Sequence, residues 1–525
     1  MTPATKLSAP REHLSILVDP AAALWRFDGV VNETRILDRP LGALRAELRA
    51  RLELAGPLIV TGHQVEFFHA GVFAKNIAAS LFAEQVGGQA AFVAVDSDTP
   101  KTRAISSVAM RDGSPHRVHV AIPGCDLTRP LEQQPATTPA AWRDFFADLA
   151  RALPWPAPLL DKFASACLTA AERGGELVGW FDAGRAATEH ALGVPPMASL
   201  RISQLCATPE FRAWAAHLLL SAPSIAAEYN AALAEFRKRH RVKNLQRPVP
   251  PLQVADDVVE LPLWTVTPDG RRRRLRVGHG PGQSEIRVFA DDERVGQFET
   301  RELADAANHS APWRIERAGL RLRPRALALS GFLRLFLADV FIHGLGGAAY
   351  DEITESWLER ALGARLTPRA CVTATLLAPL PRDGPAGLDL VATGRRARDL
   401  RWNPQRYAPA WPPEWTQRKE GLIAESLRLR DAASHDHARR EDVFRAIREI
   451  NQRGEPLLRE QARRLGDELR RLEGRRTADR AAADREYFYA LHPIESLSSL
   501  VTRLREAIRP HDPPPGLNGA AMRDF

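Results

Sequence analysis

Leu58-Ile59-Val60-Thr61-Gly62-His63-Gln64-Val65-Glu66-Phe67-Phe68-His69-Ala70-Gly71-Val72-Phe73-Ala74-Lys75-Asn76 is the stretch on which the fold turns. An apolar run of strand length ends at Thr61, a glycine lets the chain turn sharply, and a helical pattern starts near Gly71. Strand, loop and helix in that order put the loop at the carboxyl edge of a parallel sheet, where ligands bind. Lys75 falls in the first helical turn, where a cation opposes the helix dipole. An anion should therefore compensate it: either a neighbouring carboxylate of the fold or a bound acid or phosphate.

Further along the chain, short β-branched runs at Ala91–Val95, Arg117–Ile122, Val340–His343 and Val372–Leu377 alternate with helical patterns such as Val72–Glu84 and Ala348–Leu362. That alternation predicts an α/β fold with a largely parallel sheet up to about residue 400. Two more loops follow strands. Phe92-Val93-Ala94-Val95 runs into Asp96-Ser97-Asp98, two carboxylates suited to orienting an amine, acting as a general base or holding Mg²⁺, with turn capping as the alternative. Val340-Phe341-Ile342-His343 runs into Gly344-Leu345-Gly346-Gly347-Ala348-Ala349-Tyr350. Its backbone amides suit an anion, but no acidic residue closes the next strand as a dinucleotide site needs, so it reads as an anion or substrate loop.

The segmentation is expected to be 1–129 for the first part of the core, 130–310 for an inserted region with helices near Ala140–Ala152 and Thr208–His240 and a β-hairpin, 311–410 for the second part of the core, and 411–525 for a long charged helical arm. In the hairpin, Leu261–Thr267 turns at Pro268-Asp269-Gly270 into Arg271–Arg274 and Arg276, which read as a solvated strand. In the arm, Leu458, Leu465 and Leu472 repeat every seven residues, a candidate coiled-coil seam, and the stripe Leu497, Leu500, Val501, Leu504, Ile508 is expected to fold back on it. His435-Asp436-His437 is not a metal site, because residues two apart on a helix do not face one ligand.

At 525 residues the chain exceeds one ordinary domain, and its 45% hydrophobic and 26% charged residues are those of a globular protein. No uninterrupted apolar stretch is long enough for a membrane span and no secretory leader is evident, so a cytoplasmic location is expected. Four separated cysteines, with no CxxC pair, suit neither a disulfide framework nor a zinc site. The net charge of +8 comes from arginine, with seven lysines among 72 basic residues, and no aromatic-interleaved basic patch suggests specific nucleic-acid binding.

Taken together, the three loop segments and the charged helix after them resemble the BshC family, the cysteine ligases of bacillithiol biosynthesis. The family's TGQQ-x-GLF-x-GP strand–helix motif is matched by Thr61-Gly62-His63-Gln64 with Phe67, Phe68, Gly71 and Lys75, and its FW(V)A-x-EDHD segment by Phe92–Asp98. The glycine-rich motif is matched by Ala338-Asp339-Val340 through Gly344–Tyr350 with Pro368-Arg369. The chain departs from the pattern at His63, at the missing histidine around Asp96-Ser97-Asp98 and at Gly347, as a divergent member would. The resemblance implies a Rossmann-like parallel-sheet core with inserted connecting segments, a coiled-coil arm used for homodimerisation, and a ligase joining cysteine to the amine of a glucosaminyl-malate-like acceptor. On this reading His63 or His343 exchanges protons, and Asp96 and Asp98 bind the amine or a metal. Thr61, Gly62, Gln64, His69, Gly71, Lys75, Asn76, Gly344, Gly346, Gly347, Tyr350 and Arg369 contact substrate. No cofactor is certain; ATP or ADP with Mg²⁺ is the candidate, and no dedicated protein metal site is expected. Two alternatives stand beside it: a class I nucleotidyl-transferase-like adenylating ligase, since His69-Ala70-Gly71 loosely echoes an HxGH loop with Val72 in place of the second histidine, and a non-catalytic scaffold that binds partners through the arm.

Overall fold

A computed structural model describes residues 7–27, 34–280, 284–305, 313–380, 387–431 and 436–509. The chain divides into two compact units, one of Met1–Ser107, Val118–Ala378 and Arg485–Phe525, the other of Val108–Arg117 and Pro379–Asp484.

The first unit is α/β. Its main sheet holds six strands, here β1 (Ser15–Asp19), β2 (Leu58–Gln64), β3 (Gln89–Val95), β4 (Ala198–Arg201), β5 (Val340–His343) and β6 (Arg369–Thr375), in the spatial order β1-β6-β5-β2-β3-β4. All neighbours are parallel except β1, which pairs antiparallel with β6 along the edge. Successive residues of one strand feed two cores: Leu58 and Val60 point into one apolar cluster and Ile59 into the other. Helices cover both faces, which is why these strands are almost continuously hydrophobic. The helix α1 (Ala70–Gln85) packs on one face and α2 (Ala326–Phe336) on the other, and α3 (Leu345–Leu362) follows β5.

The order of these strands positions the site. From β2 the chain moves outward through β3 to β4, then returns to lay β5 on the other side of β2 and β6 beyond it. The direction of winding reverses between β2 and β5, and in open α/β sheets a crevice opens at the carboxyl ends of the strands flanking such a reversal.

Several expectations change. The predicted strand Arg117–Ile122 does not enter the main sheet; Ser114–Ala121 pairs with Ala104–Arg111 in a two-stranded ribbon. The inserted region is not separate from the core, since it supplies β4, and its own antiparallel sheet (Val258–Val266, Arg272–His279, Glu285–Ala290, Glu293–Glu299, with Arg321–Pro324) shares the larger apolar cluster. The stripe Leu497, Leu500, Val501, Leu504, Ile508 lies in Ile494–Ile508 and is buried with α1 of the first unit rather than on the arm. The aromatic cluster around Phe67, made with Trp142, Phe145, Phe146, Phe163, Phe181 and Phe488, ties the loop after β2 to helices of the insert.

The second unit is helical: Gly387–Trp402, Pro413–Asp431, His437–Arg453 and Glu455–Ala482. Gly454, with Pro456 just behind it, separates the last two helices; a single long helix would have run through them. Leu458 and Leu472 are buried and Leu465 is half-buried, and Leu400, Trp411 and Ile450 pack with Leu458. His435 lies outside the described residues, while Asp436 caps the helix His437–Arg453 through the backbone N–H of Arg439. No helix among the described residues is long and apolar enough to cross a membrane.

Candidate functional site

A cavity of about 890 Å³ opens at the reversal point, lined from β2 by Gly62, His63 and Gln64, from α1 by Gly71 and Lys75, and from β5 and α3 by His343, Gly344, Gly346, Gly347 and Tyr350. Two helices begin at it. The N-terminus of α1 is capped by its own histidine, whose Nδ1 accepts the Gly71 N–H at 3.0 Å. The N-cap of α3 is Gly344, which has no side chain to accept, so the first amides of an 18-residue helix open on the crevice.

Lys75 is the central cation. It is 3% exposed, and its one hydrogen bond is donated to the Gly62 carbonyl. No carboxylate among the described residues pairs with it. Burial, with a further push from Lys101, lowers its pKa to about 7. Of the two compensating anions that Lys75 could have had, the one belonging to the fold is not there. Lys101 and Arg485 add positive charge to the same cavity. Lys101 donates to Gln64 Oε1 at 3.0 Å and lies 3.5 Å from Glu66; Arg485 reaches Thr373 Oγ1 at 3.2 Å, and its Nε lies 3.6 Å from Glu486 Oε1. Gly71 is obligatory beneath that guanidinium, because a Cβ there would collide with Arg485 and with the Ala374 carbonyl.

On the opposite wall His343 donates or accepts at Nε2 with Asp351 Oδ2 at 2.9 Å, and Asp351 Oδ1 takes the Ser330 hydroxyl at 2.6 Å. Arg334, 1% exposed, pairs with the same carboxylate. Burial opposes ionisation of Asp351, but His343, Arg334 and Ser330 outweigh it and hold the carboxyl well below the usual range. Burial lowers the His343 pKa, only partly countered by Asp351. The pair is thus a neutral imidazole donating Nε2–H to an ionised carboxylate, with the Nδ1 lone pair against the first turn of α3. A Cβ at Gly347 would sit 2.5 Å from Nδ1, so the ring can occupy this place only beside a glycine.

His63 bonds through Nδ1 to the Gln64 carbonyl at 3.1 Å and packs edge-on against Phe68. Burial, then the charges of Lys75 and Lys101, push its pKa well below the ordinary value. Burial, Arg485 and Lys75 bring His69 down to about 4, and its Nε2 lies 3.4 Å from Glu486.

Not every residue singled out in the sequence is here. Thr61 is buried between strands and donates to the Ile342 carbonyl at 2.9 Å; Asn76 donates to Glu189 at 3.2 Å; Arg369 is engaged by Glu355 at 2.9 Å and the Ala348 carbonyl at 2.9 Å; none of the three lines the cavity. Asp96 is also outside it. Its oxygens take the backbone N–H and hydroxyl of Ser203, and burial raises its pKa against those bonds. Asp98 does line the cavity but is fully spoken for: Arg272 binds one oxygen at 2.5 Å and Gln64 Nε2 the other at 2.6 Å. Burial alone would raise its pKa, and the Arg272 charge and these hydrogen bonds bring it below the ordinary value. Asp96 and Asp98 therefore do not fit a Mg²⁺ site, and no group of three His, Cys, Asp or Glu among the described residues could hold a metal.

The sequence reading missed the far wall. Arg272, from the run read as a solvated strand, stands over Trp264 at 4.4 Å while holding Asp98, and Arg325 stands over the same ring at 4.5 Å. Tyr229, Val249, Pro250, Trp264, Leu327 and Leu333 make that end of the cavity apolar. The Pro-Asp-Gly turn was the available signal, since it puts alternate arginines of the hairpin on one face. No protein-family model matches the chain, and no curated protein sequence does.

Proposed function

We propose that the first unit is an enzyme of the BshC kind, a ligase that joins cysteine to the amine of an anionic amino-sugar acceptor such as glucosaminyl-malate. The observation that carries this reading is the buried Lys75, which lines the cavity without an acidic partner and so calls for an anionic ligand. Lys75 as an ammonium and the open amides of α3 hold the carboxylate or phosphate group. The Nδ1 lone pair of His343 takes a proton from the attacking amine, and Asp351 steadies the imidazolium that forms. Amide formation needs an activated carboxyl group; ATP is the candidate activator.

Under the same reading the helices of the second unit are the counterpart of that family's coiled-coil arm and a homodimer through it is the expected assembly, although Leu458 and Leu472 are buried within the unit and are not free to form its seam. The test is mass spectrometry of the purified protein incubated with cysteine and glucosaminyl-malate, with and without ATP and Mg²⁺. The condensed thiol is expected from the wild type and not from His343→Gln. A folded protein that makes no product under any of these conditions excludes the ligase.

A further inference from the structure

Of the chain's lysines, two among the described residues are buried, and they differ in what surrounds them. Lys419, in the second unit, donates to the Trp402 carbonyl and, at 2.9 Å, to Gln405 Oε1, and does not line the crevice. Lys75 donates to one carbonyl and opens on a cavity large enough for a small ligand. The others placed in the structure are exposed.

We infer that Lys75 is a carbonyl-capturing amine, condensing with the oxo group of a small 2-oxo acid in the crevice to give a reversible imine. Three features of the site support this. The amine is desolvated and next to another cation, Lys101, the two conditions that free a lysine's lone pair near neutral pH. The carboxylate beside such an oxo group has donors in the same cavity, namely the open amides at the start of α3 and the guanidinium of Arg485, whose Nε lies 3.6 Å from Glu486, beyond hydrogen-bond reach. And the titratable groups that face Lys75 are His63, His69, Lys101 and Cys371; none is a carboxylate that would pin the amine as an ammonium.

The chemistry balances without a further reactant. The Nζ lone pair adds to the carbonyl carbon, and the proton lost from nitrogen passes to the carbonyl oxygen, giving a carbinolamine. Expulsion of that hydroxyl with one more proton releases water and leaves the carbon–nitrogen double bond. The neutral His63 ring is the nearby group able to carry these protons.

This inference goes beyond the ligase reading and uses the other protonation state of the same lysine, so each stands or falls alone. The test needs no turnover: full-length protein is treated with pyruvate or glyoxylate and sodium borohydride near neutral pH, and the reduced secondary amine is mapped by peptide mass spectrometry. The carboxyalkyl group is expected on Lys75 ahead of every other lysine, to be lost in Lys75→Arg, and to lose its preference for Lys75 when the protein is unfolded in guanidinium before trapping. The comparison within the wild type makes the result independent of whether the variant folds. Labelling that follows surface exposure and spares Lys75 overturns the inference. So does labelling of Lys419 to the same extent as Lys75, which would mean that burial alone, without the crevice, confers the reactivity.

Discussion

Asp351 binds His343 at 2.9 Å and shares that oxygen with Arg334, a guanidinium 1% exposed to solvent. The carboxylate therefore serves the fold and the site together: it neutralises a buried cation and sets the tautomer of a histidine in the crevice.

Removing it should be costly. Asp351→Ala leaves Arg334 with Glu355 and the Thr367 carbonyl as partners, and stability should fall by about 3–5 kcal/mol. His343→Gln loses one hydrogen bond to the ionised carboxylate while leaving Arg334 paired with it, and should cost about 1.5–3 kcal/mol. Denaturant unfolding of the two variants checks the order; equal losses would mean that Arg334 does not depend on Asp351.

Lys75 should make stability depend on pH. Its pKa in the folded protein, about 7, lies below the ordinary 10.5, so the unfolded chain binds the extra proton between these values and stability rises with pH across that window. The burial penalty, of order 5 kcal/mol, is fully present below about pH 7. Lys75→Met should therefore raise the melting temperature more at pH 6 than at pH 9. Equal gains at both pH values would show that Lys75 titrates normally.

The two neighbouring glycines of α3 should respond oppositely to alanine. A Cβ at Gly346 meets nothing within 4 Å, and Gly346→Ala should stabilise the helix by about 0.5–1 kcal/mol. At Gly347 it meets the His343 ring, so Gly347→Ala should lower the melting temperature and weaken binding of inorganic phosphate in the crevice. Calorimetry on both variants reads the contrast; a stabilised Gly347→Ala would place the ring elsewhere.

Phe67 joins the loop after β2 to six other aromatic rings. Phe67→Ala should cost about 3–5 kcal/mol, and Phe67→Leu markedly less, because it refills most of the cavity. A loss below about 1 kcal/mol in the alanine variant, read from unfolding curves, would mean that the cluster collapses to fill the space.

What the sequence determined by itself was local. The apolar runs at Leu58–Thr61, Ala91–Val95 and Val340–His343 are strands because both of their faces are buried, and Gly344 does mark the turn into a helix; the turn expected at Gly62 is not made there, because β2 stays paired with β3 through Gly62 to Gln64 and the loop begins only after it. Lys75 was expected in the first turn of a helix; the helix begins at Ala70 and puts Lys75 in its second turn, so the need for an anion comes from its burial rather than from the helix dipole. What the sequence could not show was which strands would be neighbours. The edge strands Ser15–Asp19 and Ala198–Arg201 are short and carry little periodicity, so only pairing with β6 and β3 made them strands. The partners of charged side chains were equally hidden, because an ion pair forms between residues far apart in the chain. Asp98 meets Arg272, and Asp351 meets both His343 and Arg334, only after the sheet has wound back on itself. The same winding set Asp96 against Ser203 and left Lys75 without a carboxylate; desolvation and distance, which only the tertiary structure provides, decided which charges remained for a ligand.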